Sequence, residues 1–152
     1  MRKFESLLKT NLTNAIDLGY LRPGLQNAKF IELFLDWKSV QKTGLLTTEY
    51  LYPDRLSFNY RDSIVIALSL THSIVTNITL RNLYSGLVAP GIRLGSNFQE
   101  LESKYPDELM LDDECFYTKG SRIAFRFDND PFHSIDFSKA KICAVELTYK
   151  PN

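Results

Sequence analysis

The stretch LTTEYLYPDRLSFNYRDSIVIALSLTHSIVTNITL, residues 46–80, decides the fold. Leu46 to Tyr52 reads as a strand with Leu46, Thr48, Tyr50 and Tyr52 on one face, and Pro53-Asp54 breaks it. Leu56, Phe58 and Tyr60 alternate again before a second break at Arg61-Asp62. Ser63 to Leu70 is almost wholly apolar and rich in β-branched residues (Ile64, Val65, Ile66), which predicts a central, well-buried strand. After a tight connection at Thr71-His72-Ser73, Ile74 to Leu80 is the next strand, with Ile74, Ile78 and Leu80 inward. The connections are too short to hold crossover helices, so neighbouring strands run antiparallel.

Upstream, Phe4, Leu7, Leu8, Leu12, Ala15 and Ile16 recur at helical spacing before Gly19, which predicts an amphipathic helix over 3–18. Arg22-Pro-Gly24 is a turn. Lys29 to Trp37 alternates and reads as a strand, with a short helix as the alternative, because Leu, Glu and Phe serve both. Downstream, Asn82 to Gly91 reads as loop and Ile92 to Leu94 as a short strand. A helix near 97–105 then follows, with Ser96 as N-cap, Gln99 at the capping-box position, an apolar stripe of Phe98, Leu101 and Tyr105, and Pro106 as stop. Strands are expected around Glu114–Tyr117, Ser121–Phe127 and Ile142–Tyr149, with turns at Lys119-Gly120 and Asp128–Pro131. No internal repeat is visible. The sum is an α+β chain: an antiparallel sheet of about eight strands, an N-terminal helix and a short helix near 97–105, in a single domain over 1–152.

The length of 152 residues and a 44% hydrophobic composition suffice for a real core. The formal net charge of zero gives no global pull toward nucleic acid or anionic membrane. The start, Met1-Arg-Lys-Phe-Glu-Ser6, lacks a signal-peptide apolar region, and no apolar run is long enough to span a bilayer. A cytoplasmic protein is expected, with Cys115 and Cys143 as reduced thiols.

No glycine pattern forms a dinucleotide fingerprint or a P-loop, and no zinc motif occurs. Asp128, Asp130, His133 and Asp136 are the nearest approach to a metal cluster, but their spacing is above all that of a turn. His72 and His133 lie in no nucleophile context. The chain is therefore expected not to be an enzyme and to need no cofactor. The charge, however, is segregated. Asn97 to Asp136 holds ten acids and four bases, leaving eight acids and fourteen bases elsewhere. Asp107, Glu108, Asp112, Asp113 and Glu114 are read either as a solvated loop or as a docking surface for a basic partner, with Tyr105, Phe116 and Tyr117 as aromatic anchors.

Five runs carry a family resemblance: Tyr84-Ser-Gly-Leu87, Gly91-Ile-Arg-Leu-Gly-Ser-Asn-Phe98, Leu101-Glu-Ser-Lys-Tyr105, Cys115-Phe-Tyr-Thr-Lys-Gly120 and Ile123-Ala-Phe-Arg-Phe127. Over roughly residues 84–149 the chain resembles small bacterial immunity proteins of contact-dependent growth inhibition and related polymorphic toxin systems. The resemblance implies a cytosolic, non-catalytic protein that binds one cognate toxin C-terminal domain and covers its active site. Such toxins are often nucleases with basic active sites, and an acidic surface on the inhibitor would mimic the charge of the nucleic acid. The alternative expectation is a small-ligand or scaffold domain using a pocket between the N-terminal helix and the sheet. A hydrolase built on unrecognised carboxylates or His133 is the third.

Overall fold

Residues 46–80 fold as four consecutive antiparallel strands: β1 (Leu46–Leu51), β2 (Arg55–Tyr60), β3 (Ile64–Ser69) and β4 (Ile74–Arg81). The computed structural model describes residues 2–14, 16–35, 44–120, 122–131 and 136–150. Four further strands follow: β5 (Leu109–Asp112), β6 (Cys115–Thr118), β7 (Ile123–Phe127) and β8 (Ile142–Thr148). All eight form one antiparallel sheet in the order β1-β2-β3-β4-β8-β7-β6-β5, so two meanders meet at a central β4–β8 seam and leave β1 and β5 as edges. Three short helices, α1 (Arg2–Leu7), α2 (Asn27–Phe34) and α3 (Phe98–Lys104), accompany the sheet. They pack on the face bearing Phe58, Tyr60, Ile64, Ile66, Val75, Ile78, Leu80, Ile123, Phe125, Val145 and Leu147. The fold is α+β.

Several elements depart from the reading of the sequence. The predicted helix over 3–18 ends at Leu7. Beyond it the amides of Leu8, Lys9 and Thr10 reach back only three residues, and the Ser6 and Thr10 hydroxyls bond backbone carbonyls that a longer helix would use. Tertiary pairing completes the diversion. Ser85 N donates to Leu8 O, Leu12 N to Leu87 O, and Leu87 N to Asn11 Oδ1. The segment read as a strand over Lys29–Trp37 is instead α2 as far as Phe34, the alternative noted above; Phe30 and Phe34, one turn apart, are its buried pair. Residues 36–43, Trp37 among them, lie outside the described set. Ile92 makes only an isolated bridge to Ala89, not a strand. The N-cap of α3 is Asn97, which accepts from the Glu100 amide, and not Ser96, whose Oγ accepts from Arg93 N. In β4 it is Val75 that is buried rather than Ile74, because a bulge sets Leu68 against Val75 and Ala67 against Asn77, and Thr76 as the extra residue inverts the phase.

Contrary to the absence of repeats read from the sequence, the chain is an internal structural duplication. Leu18–Asn27 and Ala89–Phe98 have the same sequence of bridges and turns before a helix. Leu18 and Leu21 bridge each other, as do Ala89 and Ile92; Gln26 bridges Ile74, as Asn97 bridges Lys141. Gly24 N donates to Val75 O and Gly95 N to Ile142 O; Val75 N returns to Leu25 O and Ile142 N to Ser96 O. Gly24 and Gly95 share φ +93, a conformation that a Cβ disfavours. The strands follow suit. Val75, Ile78 and Leu80 correspond in burial to Ile142, Val145 and Leu147, and β8 carries its bulge at Cys143, opposite Arg126/Phe127, where β4 has Thr76. Thr79 corresponds to Glu146 and is paired with it across the seam, which places a pseudo-two-fold axis at that pair.

One turn of the first meander carries a pH prediction. The Asp54 carboxylate accepts from the Thr71 amide (2.5 Å) and the Ser69 hydroxyl (2.8 Å). These bonds, Thr71 first, hold its pKa down at about 2. The stabilisation is present above the unfolded-state value and fades as pH falls from about 4 toward 2. Wild type is expected to lose more melting temperature over that window than Asp54→Asn; equal losses by calorimetry would refute the assignment.

Candidate functional site

The acidic residues gather on the β5–β6 edge hairpin. Pro106 ends α3, Asp107 turns the chain at φ 60, and the Glu108 amide closes the turn on Tyr105 O. β5, which the sequence reading missed, then runs antiparallel to β6 with Leu109 opposite Thr118, Met110 opposite Tyr117, Leu111 opposite Phe116 and Asp112 opposite Cys115. Alternation sorts the side chains. Leu109, Leu111 and Phe116 share the helix-covered face; Met110, Asp112, Cys115 and Tyr117 share the open one. The two-residue turn is Asp113-Glu114, with φ 48 and 66. Positive φ at both central positions is the backbone of a type I′ turn, where Asn-Gly is preferred. Asp113 suits the first of these positions, whereas Glu114, where Gly is preferred, is strained by roughly 1–2 kcal/mol.

The structure therefore divides the five acids into two groups. Asp107 and Glu108 sit at one end of β5, and Asp112, Asp113 and Glu114 at the other, separated along the strand by roughly 15 Å at ~3.4 Å per residue. All five are exposed, and between them Met110 and Leu111 are 43% and 39% exposed. None of the ion pairs among the described residues involves these acids. The outer rim of β5 is a sheet edge.

The three aromatic residues separate. Tyr117 is on the open face, half-buried beside Asp112 and Cys115. Phe116 points the other way, into a cluster with Phe98 (4.9 Å between centroids), Phe137 (5.5 Å) and Phe127 (5.8 Å), and so packs, half-buried, against the core. Tyr105 packs on the core at the end of α3; burial, and then the Glu108 charge, raise its phenol pKa. Met110 and Leu111 were missed in the sequence because only the hairpin register shows that they flank the acids on a free edge.

Two of the other candidate carboxylates are engaged in structure. Asp128 Oδ1 accepts from Lys141 N at 2.9 Å, and Asp136 Oδ1 from Ser138 N at 3.1 Å, so both carboxylates serve as turn acceptors. His133 lies outside the described residues. Among the described residues no three His, Cys, Asp or Glu side chains converge as metal ligands. His72 sits in the exposed β3–β4 turn, its amide donating to Ser69 Oγ. Cys115 and Cys143 are unbridged, and burial raises both thiols, the reverse of nucleophile activation. The space between α1 and the sheet is occupied by the Phe4 ring. Among the described residues no helix is long and apolar enough to cross a membrane. No protein-family model, curated protein or solved structure matches the chain.

Proposed function

We propose that this chain is a non-enzymatic, cytoplasmic immunity protein that binds the C-terminal domain of a cognate toxin through the β5–β6 hairpin and covers its active site. The observation that supports the reading best is the exposed acidic tip. Asp113 and Glu114 occupy turn positions where Asn-Gly would be more stable, and they join Asp112 at the end of a free sheet edge with exposed Met110 and Leu111. An acid-rimmed edge suits a basic partner site, such as the phosphate-binding cleft of a nuclease: the charges speed encounter, and the strand edge and Met110 supply short-range contact.

The test begins with tagged protein used to capture a stoichiometric partner from the native cell at moderate salt. The partner's toxin domain is then titrated against two variants. Charge reversal at Asp112, Asp113 and Glu114 is expected to weaken the complex by about 2–5 kcal/mol. The variant Asp113→Asn with Glu114→Gly is expected to melt higher, because it relieves the turn, and yet to bind less tightly. A complex that is indifferent to both variants removes the hairpin from the interface, and a captured partner without toxin activity removes the immunity reading.

A further inference from the structure

The internal duplication exposes an asymmetry. In the first repeat, α1 lies in a groove between α2 and β2. Phe4 stacks on Tyr60 (5.1 Å, 22°) and tilts against Phe34 (5.6 Å, 48°). Glu5 accepts from the Tyr60 hydroxyl at 2.6 Å and pairs with Arg61 at 3.1 Å. The second repeat has walls at the equivalent positions, without the Tyr60 ring. Tyr105 stands where Phe34 does at the end of its helix, Thr118 where Tyr60 does opposite the first residue of the edge strand, Lys119 follows as Arg61 follows Tyr60, and Ile123 replaces Ile64. Yet no helix precedes this repeat in the place of α1; the chain from Asn82 to Val88 is a non-helical connection. Tyr105, Thr118, Lys119, Arg122 and Ile123 instead line a cleft of about 710 Å³, closed on one side by Leu12 and Ile16.

We infer that this cleft is a docking groove for a short helical segment of a partner protein that carries an aromatic residue followed directly by a carboxylate, the chemistry that Phe4-Glu5 brings to the equivalent groove. Two observations select that occupant. The molecule itself shows what walls in this position accept, and Lys119 stands on the groove's rim in the place of Arg61, which attracts Glu5. An amphipathic helix in an apolar groove is an established recognition mode, its anchors read at successive turns. Thr118 in place of Tyr60 leaves the incoming ring more room than Phe4 has. The inference stands on the duplication, independently of what the acidic hairpin binds.

The probe is a capped synthetic peptide of residues 1–11 titrated into isotopically labelled full-length protein. Saturable amide shifts are expected at Tyr105, Thr118, Lys119 and Ile123, with Phe34 and Tyr60 unmoved. Phe4→Ala in the peptide is expected to weaken binding about tenfold or more, and Glu5→Lys by about tenfold. The Lys119→Glu protein, changed only at an exposed side chain, should reject the wild-type peptide, bind the Glu5→Lys peptide better than wild type does, and keep its melting temperature. Shifts at Phe34 and Tyr60, meaning that the peptide has displaced α1, would overturn the proposal. So would shifts confined to Met110–Tyr117, no saturation by about 1 mM, or charge variants that bind alike. A concentration-dependent dimer abolished by Phe4→Ala would assign the groove to a second copy and overturn the partner.

Discussion

Phe4→Ala is expected to destabilise the protein by about 3–5 kcal/mol, the range for deleting a fully buried aromatic ring. The ring is 0% exposed and lies between Phe34 and Tyr60. α1 spans only Arg2–Leu7, far short of the length at which a helix persists alone in water, so it is held by what it buries. Its other buried anchors are Leu7 and the following Leu8, while the Glu5 contacts are exposed and screened. Without the Phe4 ring the first-repeat groove would resemble its open counterpart at Tyr105 and Thr118. A fall of roughly 10 °C in melting temperature should accompany the loss. Urea unfolding is the direct measurement; a change below about 1 kcal/mol would mean that the groove collapses around the gap and that α1 is not its required occupant.

The same groove marks how far the sequence could be read. Phe4, Leu7 and Leu8 were visible as an apolar stripe, but the spacing runs on through Leu12 and Ile16, and periodicity alone cannot say where the helix stops. It stops because Ser6, Thr10 and Asn11 offer local hydrogen bonds and residues 85–87 compete for the backbone. Lys29–Trp37 was ambiguous for a related reason: its alternation and its Phe30–Phe34 spacing fit two periods, and packing against Phe58 chose the helix. The strands over 46–80 were legible because breakers fall at every turn. The phase of β4 was not, since a bulge at Thr76 is a property of the pair of strands and not of either alone.

The duplication left a trace that could have been found. Leu21-Arg-Pro-Gly24 and Ile92-Arg-Leu-Gly95 share apolar-Arg-x-Gly, and the sixth residue beyond each glycine, Phe30 or Leu101, is the buried residue of the helix that follows. Two short matches are weak without the hydrogen bonds that make them equivalent. The acidic surface was legible as charge and illegible as shape. Exposure of Asp107 to Glu114 follows from composition, whereas the inward turn of Phe116 and the exposure of Met110 depend on the register Leu111↔Phe116. The open groove was beyond reach, because it is defined by a helix that one repeat has and the other lacks.

The pseudo-symmetry makes a second large effect calculable. Leu80 and Leu147 are equivalent residues of β4 and β8, both fully buried at the seam, where Leu80 faces Val145 and Ile78 faces Leu147. Leu80→Ala and Leu147→Ala should each be destabilising by about 3–5 kcal/mol, and the two values should agree within about 1 kcal/mol because the surroundings are related by the axis at Thr79 and Glu146. Among the described residues the seam is also the only strand pairing that joins the two meanders in the sheet order. If folding is cooperative across it, Leu147→Ala lowers native-state hydrogen-exchange protection equally at Ile66 in the first repeat and Phe125 in the second. If the repeats open independently, protection falls at Phe125 and stays at Ile66, and unfolding followed by two probes splits into two transitions. Equal loss is the expected result, because Ile78, Leu80, Val145 and Leu147 belong to one continuous core that neither repeat completes alone.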